Sequence, residues 1–216
     1  MSANFDPLAR VYRYLEYAMF GPALWRRRVA YLERLRASSR VLMVGEGDGR
    51  FLAAFLRANS RARVDYFDAS AKMLGLARER AGADAGRVRF FQADLLAISQ
   101  FPTTYDAVIT HFFLDCFSEE ELARFVPWIG QAVEPNGCWV VSEFQDKPMG
   151  AGLLLRGLYL FFGVATGLRR RQLPDYHRVL SAAGFGMVEA ETSLAGLLTS
   201  EIWERGKLSA CSEERF

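Results

Sequence analysis

Two periodicities of hydrophobic residues alternate along the chain. Seven apolar runs have the length of strands, at 40–45, 62–68, 87–92, 105–111, 138–144, 185–192 and 197–205. Helical patterns fill most of the gaps, and strands that alternate with helices of this length are typical of βαβ units in a parallel sheet. The last two runs are joined by a short connection at Ala195-Gly196, so they must run antiparallel. The pattern predicts one doubly wound α/β sheet of seven strands, mostly parallel, with an antiparallel C-terminal hairpin.

Chemical signals mark several helices independently of the periodicity. Two N-terminal helices are predicted over residues 7–20 and 22–36, divided by Gly21-Pro22. Ser118 and Glu121 form a capping box, which predicts a helix that begins after Ser118. The glutamates at 119–121 lie in its first turn, where negative charge is favourable to the helix dipole, so no bound metal is needed to explain them. A further helix is predicted over 173–183.

The segment Gly150–Leu168 is almost wholly apolar, with Arg156 as its charged residue. Its nineteen residues would form a helix of about 28 Å, slightly shorter than the roughly 30 Å of hydrocarbon in a bilayer. Arg156, the glycines and the position inside an unfinished sheet weigh against a membrane span. The sequence favours a buried or lid helix, and a membrane-surface element is the alternative.

Composition narrows the class of protein. The 216 residues are 51% hydrophobic and 24% charged, which is typical of one globular domain. A net charge of +2 gives no general case for nucleic-acid binding. The three cysteines lack the pairing of a disulfide framework or a zinc site, and the N-terminus lacks the layout of a signal peptide, so a cytoplasmic location is expected.

Basic residues are concentrated near the N-terminus and in two triplets. Residues 1–40 carry eight arginines and three acids, and arginine triplets occur at 26–28 and 169–171. A solvated helix face and a helix end account for such runs. Contact with an anionic substrate or a membrane surface is the alternative.

The strongest chemical signal is the turn after the first strand, where Gly45, Gly47 and Gly49 alternate with Glu46 and Asp48. Glycines allow a sharp turn and a close approach of the backbone to a ligand. A GxGxG turn alone is weak evidence, but here it joins a strand to a helix, which is the context that nucleotide-type sites require.

Acids follow the next two strands. Asp68 lies nineteen residues beyond Gly49, near the offset at which an acid binds ribose hydroxyls in dinucleotide sites. A helix N-cap is the alternative for Asp68, although Ser70 already fits that role. Asp94 ends the third strand, where it could accept a hydrogen bond from an adenine amino group or simply cap a turn.

These elements together resemble the class I S-adenosylmethionine-dependent methyltransferases over roughly residues 40–205, with the motifs at 68–77, 91–94, 105–115 and 135–138. The two N-terminal helices and the apolar insert are similar to those of the branch that methylates small, often lipophilic molecules such as quinones. The resemblance implies a Rossmann-like fold, S-adenosylmethionine as cofactor and a small-molecule acceptor. It implies that the cofactor contacts Gly45, Glu46, Gly47, Asp48, Gly49, Asp68, Ala69, Met73, Ala93, Asp94, Leu95 and Thr110.

One position departs from the family pattern. The family has an acid two residues before the first glycine of the turn, where this chain has Met43. Glu46 and Asp48, inside the turn, could supply that charge.

The acceptor side rests on fewer residues. His111 ends the fourth strand and is the first candidate for a general base, because imidazole titrates near neutral pH; a purely structural histidine is the alternative. His177 is a weaker candidate. Candidate acceptor-binding residues are Tyr12, Tyr14, His111, Asp115 and Tyr159.

One domain is expected over 1–216, made of a helical cap (1–38), a cofactor-binding half (39–145), the apolar lid (146–172) and a C-terminal half (173–216). Two other functions compete with methyl transfer. A non-catalytic module that binds S-adenosylmethionine is one, and an NAD-dependent oxidoreductase is the other. The absence of GxGxxG and of a Tyr-x-x-x-Lys pair weighs against the oxidoreductase.

Overall fold

The computed structural model describes residues 20–145 and 173–206. Its α-helices are α1 (Ala23–Arg28), α2 (Arg50–Ala58), α3 (Ala71–Ala81), α4 (Glu119–Ala132) and α5 (Tyr176–Ala182). Its strands are β1 (Arg40–Val44), β2 (Arg63–Asp68), β3 (Val88–Gln92), β4 (Tyr105–His111), β5 (Val133–Phe144), β6 (Phe185–Ser193) and β7 (Leu198–Arg205). Short 3₁₀ helices occupy Arg34–Ala37, Gly82–Arg87, Leu95–Ala97 and Leu114–Cys116.

The strands form one sheet in the order β3-β2-β1-β4-β5-β7-β6. The pairs among β1 to β5 are parallel, whereas β7 runs antiparallel to both β5 and β6. The predicted seven-stranded sheet with its antiparallel C-terminal hairpin is confirmed. The order reverses between β1 and β4, and in open α/β sheets ligands bind at such a reversal, beyond the carboxyl ends of the strands.

Both faces of the sheet are covered, and the central strand β1 is apolar and buried at every position after Arg40. Successive residues of a strand point to opposite faces. Leu42 and Val44 of β1 accordingly pack in the cluster that includes α4 and α5 residues, and Val41 and Met43 pack against α2 and α3. Met43 is fully buried in this apolar cluster. The family's acid position is therefore occupied by a core residue.

The predicted start of α4 is confirmed. The Ser118 hydroxyl accepts a hydrogen bond from the Glu121 N–H at 3.1 Å, and the Glu121 carboxylate accepts one from the Ser118 N–H at 2.9 Å. Ser70 likewise caps α3, accepting from the Met73 N–H at 3.2 Å. These caps could be predicted from the sequence because the two hydrogen-bonded residues are only three positions apart.

Two predicted boundaries are wrong. The helix expected over 22–36 ends at Arg28 and gives way to turns and a 3₁₀ helix, because Arg28 is buried against the end of β4 and the Tyr31 hydroxyl bonds the Ser200 carbonyl at 3.4 Å. Strand β5 begins at Val133, earlier than the expected residue 138. Its irregular first part needs Gly137, where a Cβ atom would lie 3.0 Å from two β4 carbonyl oxygens.

Two predicted segments lie outside the described residues. They are the helix over 7–20, except for its last residue, and the apolar segment 150–168. Within the two described ranges, no helix is long and apolar enough to cross a membrane.

Candidate functional site

The turn after β1 lies at the edge of the sheet where the strand order reverses. All three of its glycines have positive φ angles, of 67°, 64° and 78° for Gly45, Gly47 and Gly49. Side chains with a Cβ rarely adopt this conformation. The Gly45 N–H bonds the Phe67 carbonyl at 2.9 Å, so the turn is fastened to the end of β2.

The glycines differ in what a side chain there would meet. A Cβ at Gly45 would lie 1.9 Å from a ring carbon of Phe113, because that ring packs directly on the turn. At Gly47 the nearest atom would be the Met73 sulfur at 4.0 Å. The middle of the turn therefore has open space above it, as close approach of a ligand requires.

Asp68 stands beside this open part of the turn. Its Oδ2 accepts a hydrogen bond from the Gly47 N–H at 3.2 Å, and its Oδ1 accepts one from the Ser70 N–H at 2.8 Å. The carboxylate is thus held in one orientation at the mouth of the turn, and Ser70 has the N-cap role. The Tyr66 hydroxyl donates to the Gly47 carbonyl at 2.9 Å, a support that sequence reasoning missed.

The residues after β3 come next to Asp68. The Ala93 N–H donates to the Asp68 carbonyl at 3.1 Å, which joins the ends of the two strands. Asp94 accepts from the Leu96 N–H at 3.0 Å and caps the 3₁₀ helix that begins with buried Leu95. The turn-capping alternative for Asp94 is therefore present in the structure. Ala69 is exposed beside this group.

An open cavity of about 450 Å³ adjoins this part of the site. Its lining is mostly aromatic and aliphatic: Phe67, Phe90, Phe91, Gln92, Ala93, Ile98, Gln100, Phe101 and Pro102. Phe67 and Phe91 are stacked in its wall, with ring centroids 4.4 Å apart. Because Ala93 lines the cavity, a flat apolar group could extend into it from the strand end.

Two predicted cofactor residues have other partners in the structure. Asp48 is paired with Arg50 at 3.0 Å and with Arg80 at 2.9 Å, so its charge is compensated within the protein. The Thr110 hydroxyl is fully buried and accepts a hydrogen bond from the Trp139 indole at 3.0 Å. Of the two acids in the turn, Glu46 remains as the candidate to replace the family's acid.

Glu46 belongs to a buried polar cluster that connects β1, β4 and α1. Its Oε1 lies 3.0 Å from Nδ1 of His111, and its Oε2 lies 3.7 Å from the Arg28 guanidinium. The Glu46 and His111 side chains are fully buried, and Arg28 is 8% exposed. None of the side-chain oxygen or nitrogen atoms of Glu46 and His111 has a partner in good hydrogen-bond geometry within the described residues. Buried polar atoms without hydrogen-bond partners are rare in proteins because they cost free energy, so this cluster is a candidate for contact with a ligand.

Arg28 extends the cluster along the edge of the sheet. Its guanidinium also donates to the His111 carbonyl at 3.4 Å and lies 5.0 Å from the centre of the Phe112 ring. The Phe51 ring meets His111 edge-on at 4.7 Å.

Two carboxyl groups lie beside this cluster at the ends of β4 and β5. Glu143 is fully buried, and one of its oxygens accepts hydrogen bonds from the Phe113 and Leu114 N–H groups at 2.9 and 2.6 Å. Burial and the charge of Asp115 raise the pKa of Glu143 well above its usual range. Burial likewise raises the pKa of Asp115 to about 6, against the opposing effects of Cys116 and Arg28. Sequence reasoning found Asp115 and missed Glu143, which looks like one polar residue inside a strand.

His177, the weaker base candidate, is engaged elsewhere. Its Nε2 lies 2.9 and 3.1 Å from the two carboxylate oxygens of Glu201 on β7. Burial would lower the pKa of His177, but the hydrogen bond and charge of Glu201 outweigh it and raise the pKa. The Tyr176 hydroxyl and the Trp203 indole donate to the same carboxylate. Within the described part of the chain, His177 therefore belongs to the contact between α5 and the sheet.

Tyr12, Tyr14 and Tyr159 lie outside the described residues. The residues that are described still form a site with distinct ends: an acid fixed beside an open glycine turn, an aromatic cavity past β3, and a buried ionisable cluster toward β4 and β5. These groups fit a nucleoside at one end and an ionic group at the other, which is the make-up of S-adenosylmethionine.

Comparison with known proteins gives an independent view of the same residues. Residues 41–137 match the family model of a methyltransferase domain. Demethylmenaquinone methyltransferase of Thermus thermophilus is 34% identical over 139 residues, which cover 63% of this chain and 62% of that protein. The Deinococcus radiodurans protein of the same name is 29% identical over 138 residues, which cover 64% of this chain and 56% of that protein. The match thus spans about three fifths of the length of these relatives.

Solved structures extend the likeness to the whole sheet. The chain superimposes on the mitomycin 7-O-methyltransferase MmcR with a TM-score of 0.71 and 18% sequence identity, over 95% of this chain and 61% of that one. At this level of identity the likeness shows the fold, which is the Rossmann-like fold of class I methyltransferases.

Proposed function

We propose that the chain is a class I S-adenosylmethionine-dependent methyltransferase, a proposal that the methyltransferase-domain match over residues 41–137 supports, and that it transfers the methyl group of S-adenosylmethionine to a small lipophilic or aromatic acceptor. The observation that carries the cofactor assignment is the carboxylate of Asp68, held by the Gly47 N–H beside the open turn. A carboxylate in this position can accept hydrogen bonds from both ribose hydroxyls, as acids do at the same offset in dinucleotide sites.

The remaining cofactor contacts follow the order of the strands. Ala93, Asp94 and Leu95 would hold the adenine beyond β3, and Ala69 and Met73 would flank the ribose. The amino-acid end would cross the Gly45–Gly49 turn toward Glu46. Glu46 would then supply the charge that the family has at the position of Met43.

S-adenosylmethionine supplies a methyl group that is already activated on a positively charged sulfur. The protein then has to orient the acceptor and exclude water, and a base is needed when the acceptor is protonated. His111 is the proposed base, with Nε2 receiving the acceptor proton. Glu46, 3.0 Å from Nδ1, would orient the ring after a small rotation and stabilise the imidazolium that forms. Because His111 is fully buried, neighbouring side chains such as Phe51 must move when the acceptor binds.

The acceptor class is argued from the apolar surroundings of this position. Phe112, Phe113 and Phe117 follow His111, and the Phe113 and Phe117 ring centroids are 4.9 Å apart. Aromatic walls favour flat or lipophilic molecules. The name of the Thermus relative, demethylmenaquinone methyltransferase, supports a quinone-like acceptor. Asp115 and, outside the described residues, Tyr12, Tyr14 and Tyr159 are proposed to contact it.

The apolar segment 146–172 is proposed to cover the acceptor. It follows β5, whose carboxyl end lies at the edge of the sheet where the ligand is proposed to bind. Its side chains are too apolar to remain fully exposed to water, so they are expected to pack against another apolar surface. Transient contact with a membrane surface would use the same residues. Flotation with liposomes distinguishes the two, because a lid alone does not carry the protein into the lipid fraction.

Calorimetry with S-adenosylmethionine and with NADH tests the proposed function against the oxidoreductase. We expect S-adenosylmethionine to bind at one site per chain and NADH not to bind. Transfer of a labelled methyl group to a reduced naphthoquinone then separates an enzyme from a non-catalytic binding module. Binding of NADH in preference to S-adenosylmethionine would overturn the proposal.

A further inference from the structure

The two carboxyl oxygens of Glu143 differ in their hydrogen bonding. Its Oε1 accepts two backbone hydrogen bonds, from Phe113 and Leu114, which fix the side chain across the end of β4. Its Oε2 is equally buried but has no hydrogen-bond partner within the described residues. An anchored buried carboxyl with one unsatisfied oxygen indicates a site that is completed by something else.

Asp115 gives Glu143 a neighbour of the same charge. It lies in the 3₁₀ helix Leu114–Cys116, next to the two residues whose N–H groups Glu143 binds. Glu143 is fully buried and Asp115 is partly exposed, and two neighbouring carboxyl groups cannot both ionise there without a cost, so they titrate as a pair. The pair therefore holds a proton near neutral pH, consistent with the raised pKa values of both groups.

The other charged and titratable groups around Asp115 and Glu143 include fewer positive charges than carboxyl groups. Arg28 faces Asp115 but lies 3.7 Å from Glu46. The Cys116 thiol donates to Asp115 at 3.5 Å. On the side of α5, Tyr176 faces Glu143 and bonds Glu201 and Gln145. His111 is beside Glu46. The described cluster thus has three carboxyl groups, Glu46, Asp115 and Glu143, of which Glu46 and Asp115 interact with the Arg28 guanidinium.

The strand order determines which part of the cofactor comes near the pair. With the ribose at Asp68 on β2 and the adenine past β3, the rest of the molecule must run across β1 toward β4, because β1 lies between them in the sheet. Neighbouring strands are about 4.8 Å apart. The sulfur is one carbon beyond the ribose ring and thus lies toward the crevice between β1 and β4, on the side of Asp115 and Glu143.

Building on the proposed function, we propose that Asp115 and Glu143 form the electrostatic binding site for the positive sulfonium of the cofactor, and that the pair loses its one shared proton when this positive charge binds. When S-adenosylmethionine binds, the pair releases its proton to solvent and becomes the counter-charge of the sulfur. After methyl transfer the sulfur is a neutral thioether, and the pair takes up one proton from solvent, while His111 returns to solvent the one proton that it received from a hydroxyl acceptor. The pair therefore favours the charged substrate over S-adenosylhomocysteine, the uncharged product.

Proton counting by calorimetry tests this inference without an acceptor. Each ligand is titrated at about pH 6.5 in two buffers of different ionisation enthalpy, where the α-amino groups of both ligands are protonated. We expect S-adenosylmethionine to release more protons than S-adenosylhomocysteine, by up to about one per site. Asp115→Asn and Glu143→Gln should each remove this difference and lower the preference for S-adenosylmethionine by about tenfold.

The two variants and a control make the result decisive. Gln at position 143 keeps the oxygen that accepts the two backbone bonds, and Asp115→Asn serves if Glu143→Gln does not fold. Glu120→Gln, at an exposed position in the first turn of α4, should keep the wild-type proton difference. Equal proton release by the two ligands, or a difference that survives in both site variants, would overturn the inference alone. Failure of both ligands to bind the wild-type protein would overturn the proposed function together with it.

Discussion

Single residues in the site fall into two groups, those that a known sequence motif marks and those that no motif marks. The glycines were predictable from one strand–turn–helix unit, and Asp68 was predictable because acids occur at a similar offset after such a turn in dinucleotide sites. Glu143 and Tyr66 were not, because their partners, Leu114 and Gly47, are 29 and 19 residues away. Buried polar residues inside strands look like ordinary core positions until the partner strand is known.

Replacement of His111 by glutamine tests its proposed role. His111→Gln should lower the rate of methyl transfer by about 10²–10⁴-fold, because the acceptor proton then has no base to receive it. The affinity for S-adenosylmethionine, measured by calorimetry, should change little. A variant that transfers methyl groups at the wild-type rate would leave His111 with a structural role only.

Gly45→Ala should destabilise the protein because it combines an unfavourable backbone conformation with a steric clash. The φ angle is 67°, and the new Cβ would lie 1.9 Å from a carbon of the Phe113 ring. We expect a loss of about 1–3 kcal/mol in the free energy of unfolding measured with urea. Gly75→Ala in α3 is the matched control, because a Cβ there meets nothing within 4 Å; it should be neutral or stabilising by up to about 1 kcal/mol. Equal stability of the two variants would refute this explanation of the turn.

At the scale of elements, local chemistry predicted where helices start better than where they stop. The capping box of α4 and the Ser70 cap of α3 were readable from the sequence, and both are present. The end of α1 was not, because burial of Arg28 against the β4 end depends on contacts 83 residues away. The early start of β5 likewise depends on its pairing with β4.

The contact of α5 with β7 should make stability depend on pH. The pKa of His177 is raised above its usual 6.5 in the folded protein, where Glu201 stabilises the protonated ring. The stabilisation is therefore complete below about pH 6.5 and is lost as the pH rises through the raised value. Urea unfolding across this range should show stability falling toward high pH, and His177→Gln should remove that part of the slope. The same slope in the variant would contradict the role of this pair.

At the scale of the whole molecule, the sheet order brings distant residues into one site. The candidate residues extend from Arg28 to Glu143, and the reversal between β1 and β4 places them along one edge. The alternating pattern was enough to predict seven strands and the antiparallel hairpin. It could not predict which carboxyl groups would lie next to each other, because that depends on packing across the completed sheet.

The binding of S-adenosylmethionine to wild-type protein and to Asp68→Ala, measured by isothermal titration calorimetry, tests the central claim most directly. The structure holds the Asp68 carboxylate beside the open turn, and loss of its bonds to the ribose should weaken binding by about 1–3 kcal/mol. Asp84→Ala, which removes an aspartate that pairs with Arg87 away from the turn, should bind as the wild type does. Wild-type affinity in Asp68→Ala, or no binding by the wild-type protein, would contradict the account.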